Sequence, residues 1–500
     1  MDVLHNLALG FGVALSWYNL LFCLIGVLIG TLIGVLPGIG PVATISLLLP
    51  LTFGMESVTS IIMLAGVYYG AMYGGSTTSI LVNIPGEPAS VVTCLDGYQM
   101  ARHGRAGPAL GMSAFGSFFG GTASIIGLML FAPVLAALAL KFGPPELFAL
   151  MVFGLTMVIY LCTESLVKGL IMGVAGFEIA LIGNDPISGV TRFTLGSITL
   201  LDGIGIAPAA MGMFGIAEVL LNIEEGVQRE VFGAKVRGLF PTRQDWIECK
   251  WPLFRGSLIG FVMGIIPGVG VAIPTFIAYA VEKRLSRHPE KFGTGVIEGV
   301  AAPETANNAA TGGSLVSLLS LGIPANAIMG ILLGASIIHG IQPGPLLIMK
   351  YPDLFWGTIA SMYVGNAMLL VLNLPLIGIW IKVLKIPYSI LFPLIILFCF
   401  LGAYSLNNNI YEVLIMVVFG IFGYFMRKFG FEGAPFLLAF ILGPMLENTF
   451  RQSLVYRDPL IFFKRPLSLV LLTISLLLLL SASIPGIAHG RRKIETLKEG

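Results

Sequence analysis

Charge is what this sequence has least of. Lys, Arg, Asp and Glu make up 11% of its 500 residues, against 56% hydrophobic. A soluble domain carries about 25% charged residues, so a water-facing surface along the whole chain is excluded. The charge balance is also slight, +2 at pH 7, and gives no field that would gather nucleic acid. Cysteine is scarce. Cys23, Cys94, Cys162, Cys249 and Cys399 stand far apart, with neither the spacing of a metal site nor the density of a disulfide framework. They read as small apolar packing residues. The start, Met1-Asp2-Val3, lacks the basic opening of a signal peptide. Metal-protease His-Glu spacing, nucleophile elbows and Walker loops are absent as well, so no motif supports hydrolysis by this chain.

Long apolar runs dominate what is there. Trp17–Leu36, Pro145–Leu161, Leu166–Ile182, Tyr388–Gly402, Val413–Phe425 and Leu467–Ser483 reach or approach the roughly 17–25 residues that a bilayer-crossing helix needs. The chain reads as an all-α integral membrane protein with roughly ten to fourteen transmembrane or re-entrant helices.

Gly and Pro number 63 and 29, and the glycines cluster in two zones that look like one unit written twice. Gly34-Val-Leu-Pro37-Gly38-Ile-Gly40 matches Gly264-Ile-Ile-Pro267-Gly268-Val-Gly270 at an offset of 230. Gly74-Gly75-Ser76 matches Gly312-Gly313-Ser314 at 238, Ile84-Pro85 matches Ile323-Pro324 at 239, and Gly107-Pro108 matches Gly344-Pro345 at 237. Basic residues fall on opposite arms of the two copies. Arg102 and Arg105 follow the Ile-Pro element of the first copy, whereas Lys283, Arg284, Arg287 and Lys291 follow the Pro-Gly-x-Gly turn of the second. Thr52–Ser57 and His339–Pro345 carry none. Because Lys and Arg concentrate on the cytoplasmic side, this pattern predicts two inverted-topology repeats with broken helices at the midplane. The halves are residues 1–222 and 256–500, joined by a charged cytoplasmic linker, 223–255. The tail with Arg491, Arg492, Lys493 and Lys498 is expected on the cytoplasmic side too. Pro252–Ala280 has basic residues at both ends and is expected to turn back as a hairpin at Pro267–Gly270.

The candidate site residues follow from these elements. A Pro-Gly-x-Gly turn inside an apolar run breaks the helix, and broken backbone at membrane depth belongs in protein or beside a wet cavity. Gly38, Gly40, Gly268 and Gly270 are therefore candidates for approaching an anion through helix N-termini; packing kinks are the alternative. Gly74, Gly75, Ser76, Thr77 and Thr78, followed by Asn83 and Pro85, offer hydroxyls and amides that can replace water around a carboxylate. Thr311, Gly312, Gly313, Ser314 and Pro324 are their counterparts. The alternative is that the hydroxyls bond back to their own helix. Glu304, Thr305, Asn307 and Asn308 supply hard oxygens for a cation, and Glu304, Asn307, Asn308 and Thr311 recur at helical spacing. A charged Glu in an apolar region is costly and usually functional; an aqueous loop is the alternative. Arg102, His103 and Arg105 fit a solvated loop as well as a carboxylate clamp. Asp185 and Arg192 read as structural.

These stretches, Gly34–Gly40, Tyr69–Gly86, Gly183–Arg192 and above all Ala302–Asn308 running on to Gly313, resemble the large membrane subunit of tripartite tricarboxylate transporters, the TctA-type family. The resemblance covers roughly residues 15–450. It implies a secondary transporter in the bacterial inner membrane, a small four-helix membrane subunit, a periplasmic solute-binding protein, a small carboxylate such as citrate, and a coupling cation, Na+ or H+, with no other cofactor. A channel would be expected to carry charge rings or a regular filter, and a membrane enzyme would rest on Glu304 or His339.

Overall fold

The structure, a computed structural model, describes residues 3–36, 40–162, 165–185, 187–225, 238–384, 388–455, 458 and 460–481. Residues 226–237 of the linker, the tail basic residues, and Pro37 and Gly38 of the first turn lie outside them.

Apolar chain without water must satisfy its amides internally, and helices do so within one segment. Among the described residues, eight helices are long and apolar enough to cross a bilayer, and five shorter apolar helices accompany them. The sole described strands are two-residue pieces, Gly183–Asn184 pairing antiparallel with Thr191–Arg192. In the first half, α1 (Trp17–Val35), α2 (Ser57–Val82) and α3 (Ala106–Ala139) matter most. Those of the second half are α4 (Arg243–Ile265), α5 (Ala272–Leu285), α6 (Glu298–Leu321) and α7 (Ala327–Ile338).

One kind of close helix contact occurs twice. Gly26, Gly30 and Gly34 of α1 lie on α2; a Cβ there would come 2.3–2.4 Å from the carbonyl oxygens of Met63, Val67 and Ala71. Gly256, Gly260 and Gly264 of α4 lie on α6 in the same way, 2.3–2.6 Å from the carbonyl oxygens of Ala302, Ala306 and Ala310. The two glycine triplets are 230 residues apart, the offset of the Pro-Gly-x-Gly turns. Without a hydrophobic force between helices in lipid, small residues that admit main-chain contact hold such pairs.

The second turn behaves as the sequence suggests. After α4 the chain reverses at Pro267–Gly270, where Gly268 (φ +87°) and Gly270 (φ +69°) take left-handed conformations, and α5 returns along α4. Arg255 on α4 grips Glu282 on α5 with two bonds of 2.6 and 2.5 Å. The Gly268 amide donates to the Ala325 carbonyl at 2.9 Å, so the turn meets the Ile-Pro element of its own copy. In the first copy Gly86, just after Pro85, packs on the Gly34 carbonyl.

The Gly-Gly-Ser elements differ from expectation. α2 runs unbroken through Gly74–Ser79, and α6 runs unbroken from Glu304 through Ser314. Their amides are spent inside the helices and are not free donors. Small residues here allow close packing without interrupting the helical bonds.

Two ends of the protein can be told apart. At one end Asp96 takes the amides of Gly293, Gly295 and Val296 at 2.8–3.0 Å and the Tyr279 hydroxyl at 2.9 Å. At the other, His339 Nε2 lies 3.1 Å from Thr52 Oγ1. α2 starts beside Thr52, with Ser60 Oγ donating to its carbonyl at 3.3 Å. α6 starts beside the Asp96 end and finishes against the Pro343 carbonyl. The two helices therefore run in opposite directions.

Inserting bulk into a packed contact costs about 1–3 kcal/mol; here the atoms met are main chain and cannot rotate away. Gly30→Val and Gly260→Val are each expected to lower the thermal midpoint of the detergent-purified protein and reduce its monodisperse yield. Gly12→Ala, where a Cβ meets nothing within 4 Å, is expected to change neither.

Candidate functional site

Where α2 and α6 cross, a polar cluster sits in an otherwise apolar core. Glu304 on α6 is fully buried. One of its oxygens accepts from Ser76 of α2 and, at 3.4 Å, from Ser117 of α3; the other accepts from Thr93, in the segment after α2. The helical spacing of α6 brings Asn307 and Asn308 to the same region. Asn308 Nδ2 donates to the Glu304 carbonyl at 3.2 Å. Asn308 also lines a cavity of about 20 Å³ with Tyr69, Ser124, Thr311 and Asn366, room for about one water.

A second carboxylate, which motif and spacing alone do not single out, completes the cluster. Glu87 is 4% exposed. It caps the short turn Pro88–Ser90, accepting from the Ala89 amide at 2.6 Å, and it accepts from Asn307 Nδ2 at 3.0 Å. Gly75 makes room for it: a Cβ there would lie 2.9 Å from Glu87 Cγ. Among the described residues no Lys, Arg or His side chain pairs with either carboxylate. Two buried carboxylates, one from each half, thus stand without a cationic partner, and an uncompensated buried charge costs several kcal/mol. A signal for Glu87 is nonetheless present in the sequence. It is an acid immediately after Ile84-Pro85-Gly86, in a stretch otherwise free of charge.

The remaining candidates divide. Ser76 faces Glu304, so a residue expected to hold substrate and one expected to hold the ion meet each other. Thr78 and Ser79 donate to the Gly75 carbonyl at 2.9 and 3.1 Å, Thr311 to Asn307 O at 3.0 Å, Ser314 to Thr311 O at 2.8 Å, and Thr305 to Ala301 O at 2.7 Å. These hydroxyls bond back to their own helices. Thr77 is buried beside them. Gly74, Gly312 and Gly313 are packing positions, meeting Thr31 O, Ser124 Oγ and Phe261 O. Asn83 caps α2 in a left-handed conformation and is exposed, Pro85 is half-buried, and Pro324 is buried. Gly40 and Gly270 have positive φ, and a Cβ at either would meet nothing within 4 Å.

The arginines belong elsewhere. Arg105 pairs with Asp245 at 2.6 Å, Arg192 forks onto Glu447, and Arg451 reaches Asp185 at 2.9 Å. The Ile187 amide and then Arg451 hold the Asp185 carboxyl well below the usual range. A larger cleft of about 450 Å³, with Asp202 and Gln342 among apolar walls, opens near the His339 end and shares no lining residue with the carboxylate pair.

Comparison with known proteins bears on this cluster. The family model described as tripartite tricarboxylate transporter TctA family matches residues 20–438. The chain belongs to that family. A protein of Agrobacterium vitis, described as an uncharacterized 52.8 kDa protein in the TAR-I ttuC' 3' region, is 49% identical over 496 residues, covering 99% of each chain. A second, described as an uncharacterized protein in the TAR-II ttuC' 3' region of the same organism, is 47% identical over 237 residues, 47% of this chain and 98% of its own. No solved structure matches. The carboxylate pair lies within the matched part of this TctA-family chain, as do Ser76, Thr93 and Ser117.

A hydrogen bond to a charged group is worth roughly 1.5–3 kcal/mol. Ser76→Ala and Thr93→Ala each leave Glu304 short of a donor and are expected to destabilise the TctA-family protein by about that amount in thermal or chemical unfolding. Thr78→Ala, which removes only a bond to its own helix, is expected to stay within about 0.5 kcal/mol of the parent.

Proposed function

We propose that this chain is the membrane permease of a binding-protein-dependent secondary transporter that imports small organic anions, di- or tricarboxylates such as citrate, coupled to a cation gradient of Na+ or H+. The observation that carries the reading is the pair of buried carboxylates, Glu87 and Glu304, with no cationic side chain among the described residues paired to either. An organic anion cannot approach two bare carboxylates in a low-dielectric interior. A cation bound first removes that repulsion, and its departure restores it. Binding of cation and anion are then linked, which is what symport requires. Glu304, with Asn308 beside it, is the coupling-ion site of this reading, while Asn307 reaches across to Glu87; the Ser76–Thr78 and Thr311–Ser314 faces are where the substrate docks once their hydroxyls turn from the helix.

The opposite directions of α2 and α6, and the paired glycine contacts α1–α2 and α4–α6, support an inverted-repeat transporter whose site lies where the repeats meet. The charge rule makes the Asp96 end, with Arg105 and Arg255, cytoplasmic. The His339 end is then periplasmic, in a bacterial inner membrane. The tripartite family name supports two partners, a small membrane subunit and a periplasmic binding protein that delivers the anion.

Uptake by the complete system in proteoliposomes tests this. Accumulation across a panel of carboxylates is expected only when a sodium or proton gradient is imposed, and saturating, gradient-independent flux would overturn it. Asn308→Ala is expected to raise the cation concentration for half-maximal uptake by about ten-fold, the weight of one charge-assisted bond, with a smaller effect on the substrate. Cysteines at Ser286 and His339 report the sidedness. Impermeant maleimide on intact cells is expected to label the second and not the first.

A further inference from the structure

The two buried carboxylates are not held alike, and the difference tells what each can bind. Glu304 is surrounded by the hydroxyls of Ser76, Thr93 and Ser117. A hydroxyl both donates and accepts, so that cage suits an ionised or a protonated acid. Glu87 accepts from N–H groups at both oxygens, from Asn307 Nδ2 on one and from the Ala89 amide on the other. An N–H cannot turn round to accept. These two N–H donors favour the carboxylate form of Glu87 and offset part of what burial costs it. A buried carboxylate kept ionised needs a positive partner.

An independent feature marks where that partner sits. Asn307 is 1% exposed, and its Oδ1 is a buried acceptor with no hydrogen-bond partner among the described residues. It belongs to the same carboxamide whose nitrogen touches Glu87. A buried, empty acceptor is rare in a folded protein and calls for an explanation. A carboxylate, an amide oxygen and a nearby hydroxyl, Ser90 Oγ, which bonds the Glu87 carbonyl at 2.8 Å, are hard oxygen ligands of the kind that a non-protonic cation takes.

Resting on the symporter reading above, we infer that Glu87 and Asn307 form a sodium site of their own, separate from the hydroxyl cage of Glu304. Glu87 comes from the first half and Asn307 from the second, so an ion bound there ties the two halves together. Gly75 is the residue that lets Glu87 reach it. Sodium at Glu87 also removes one of the two negative charges that an entering anion would meet.

Binding of radioactive Na+ to the purified full-length chain in nanodiscs at pH 8 tests the assignment, with uptake by the complete system measured alongside. Glu304→Gln is expected to keep at least one bound Na+ per chain, and Glu87→Gln to lose one relative to the parent. Asn307→Ala leaves both carboxylates in place and is expected to weaken the remaining Na+ at the Glu87 site by about ten-fold, which guards against misfolding of the Glu87 variant. Equal Na+ binding by parent, Glu87→Gln and Asn307→Ala would overturn the site while leaving cation-driven uptake intact. Loss of all Na+ in Glu304→Gln with Glu87 present would overturn it too. Uptake driven by a pH gradient, with no Na+ bound to the parent, would replace sodium by a proton at Glu87 and refute the assignment. Uptake indifferent to every cation gradient would remove the symporter reading beneath it.

Discussion

Main-chain contact between helices is the constraint on which the rest of the structure depends. Gly26, Gly30 and Gly34 seat α1 on α2, and Gly256, Gly260 and Gly264 seat α4 on α6, each within reach of a carbonyl oxygen. In a bilayer a leucine gains nothing by leaving lipid for protein, so close approach of backbones is what binds helices together. Once α2 and α6 are fixed by their partners, their crossing has little slack. Ser76 and Glu304, 228 residues apart in sequence, are then neighbours without any local signal that pairs them.

The cluster at that crossing inverts the usual pattern of a membrane interior. Polar side chains there normally satisfy each other or their own helix, and most of the hydroxyls in α2 and α6 do the latter. Glu304 and Glu87 instead gather donors and, among the described residues, have no cationic side chain paired to them. The basic residues that could have served, Arg105, Arg192, Arg255 and Arg451, are committed to Asp245, Glu447, Glu282 and Asp185 outside the cluster. Leaving such a charge unbalanced costs stability, and the proposed cation would offset that cost. The Asp96 clasp at one end, with three amides on one oxygen, joins the two halves by bonds that have to be exchanged if the halves move apart.

Much of this is legible from residue types and spacing. Low charge and long apolar runs imply a helical membrane protein, because lipid admits little else. Matching Pro-Gly-x-Gly, Gly-Gly-Ser and Ile-Pro elements imply a duplicated unit. Basic residues flanking Pro252–Ala280 imply a hairpin, which α4 and α5 form. Glu304 is recognisable because an acid beside Asn307 and Asn308 in an apolar helix has no structural excuse. Glu87 is marked only as a lone acid after Ile84-Pro85-Gly86; its burial is apparent when the chain after Pro85 is seen to fold back against Gly75. At the Gly-Gly-Ser elements the helices run on without a break, and glycine there serves proximity rather than freedom of the backbone.

The sequence by itself determined the solvent, the helical class, the paired motifs and the kinds of oxygen at hand. Those follow from composition and from periodicities of a few residues, which act locally and need no knowledge of where the chain goes. Tertiary structure alone decided that Glu87, Ser76, Thr93 and Glu304 share one dry place. It also decided that Gly313 seats α6 against α4 and that Arg105, Arg192, Arg255 and Arg451 are taken by other acids. Such facts depend on contacts between residues far apart in the chain, more than two hundred positions for the carboxylate cluster. Their energies are set by burial and by what else is within reach, and neither is written at any single position.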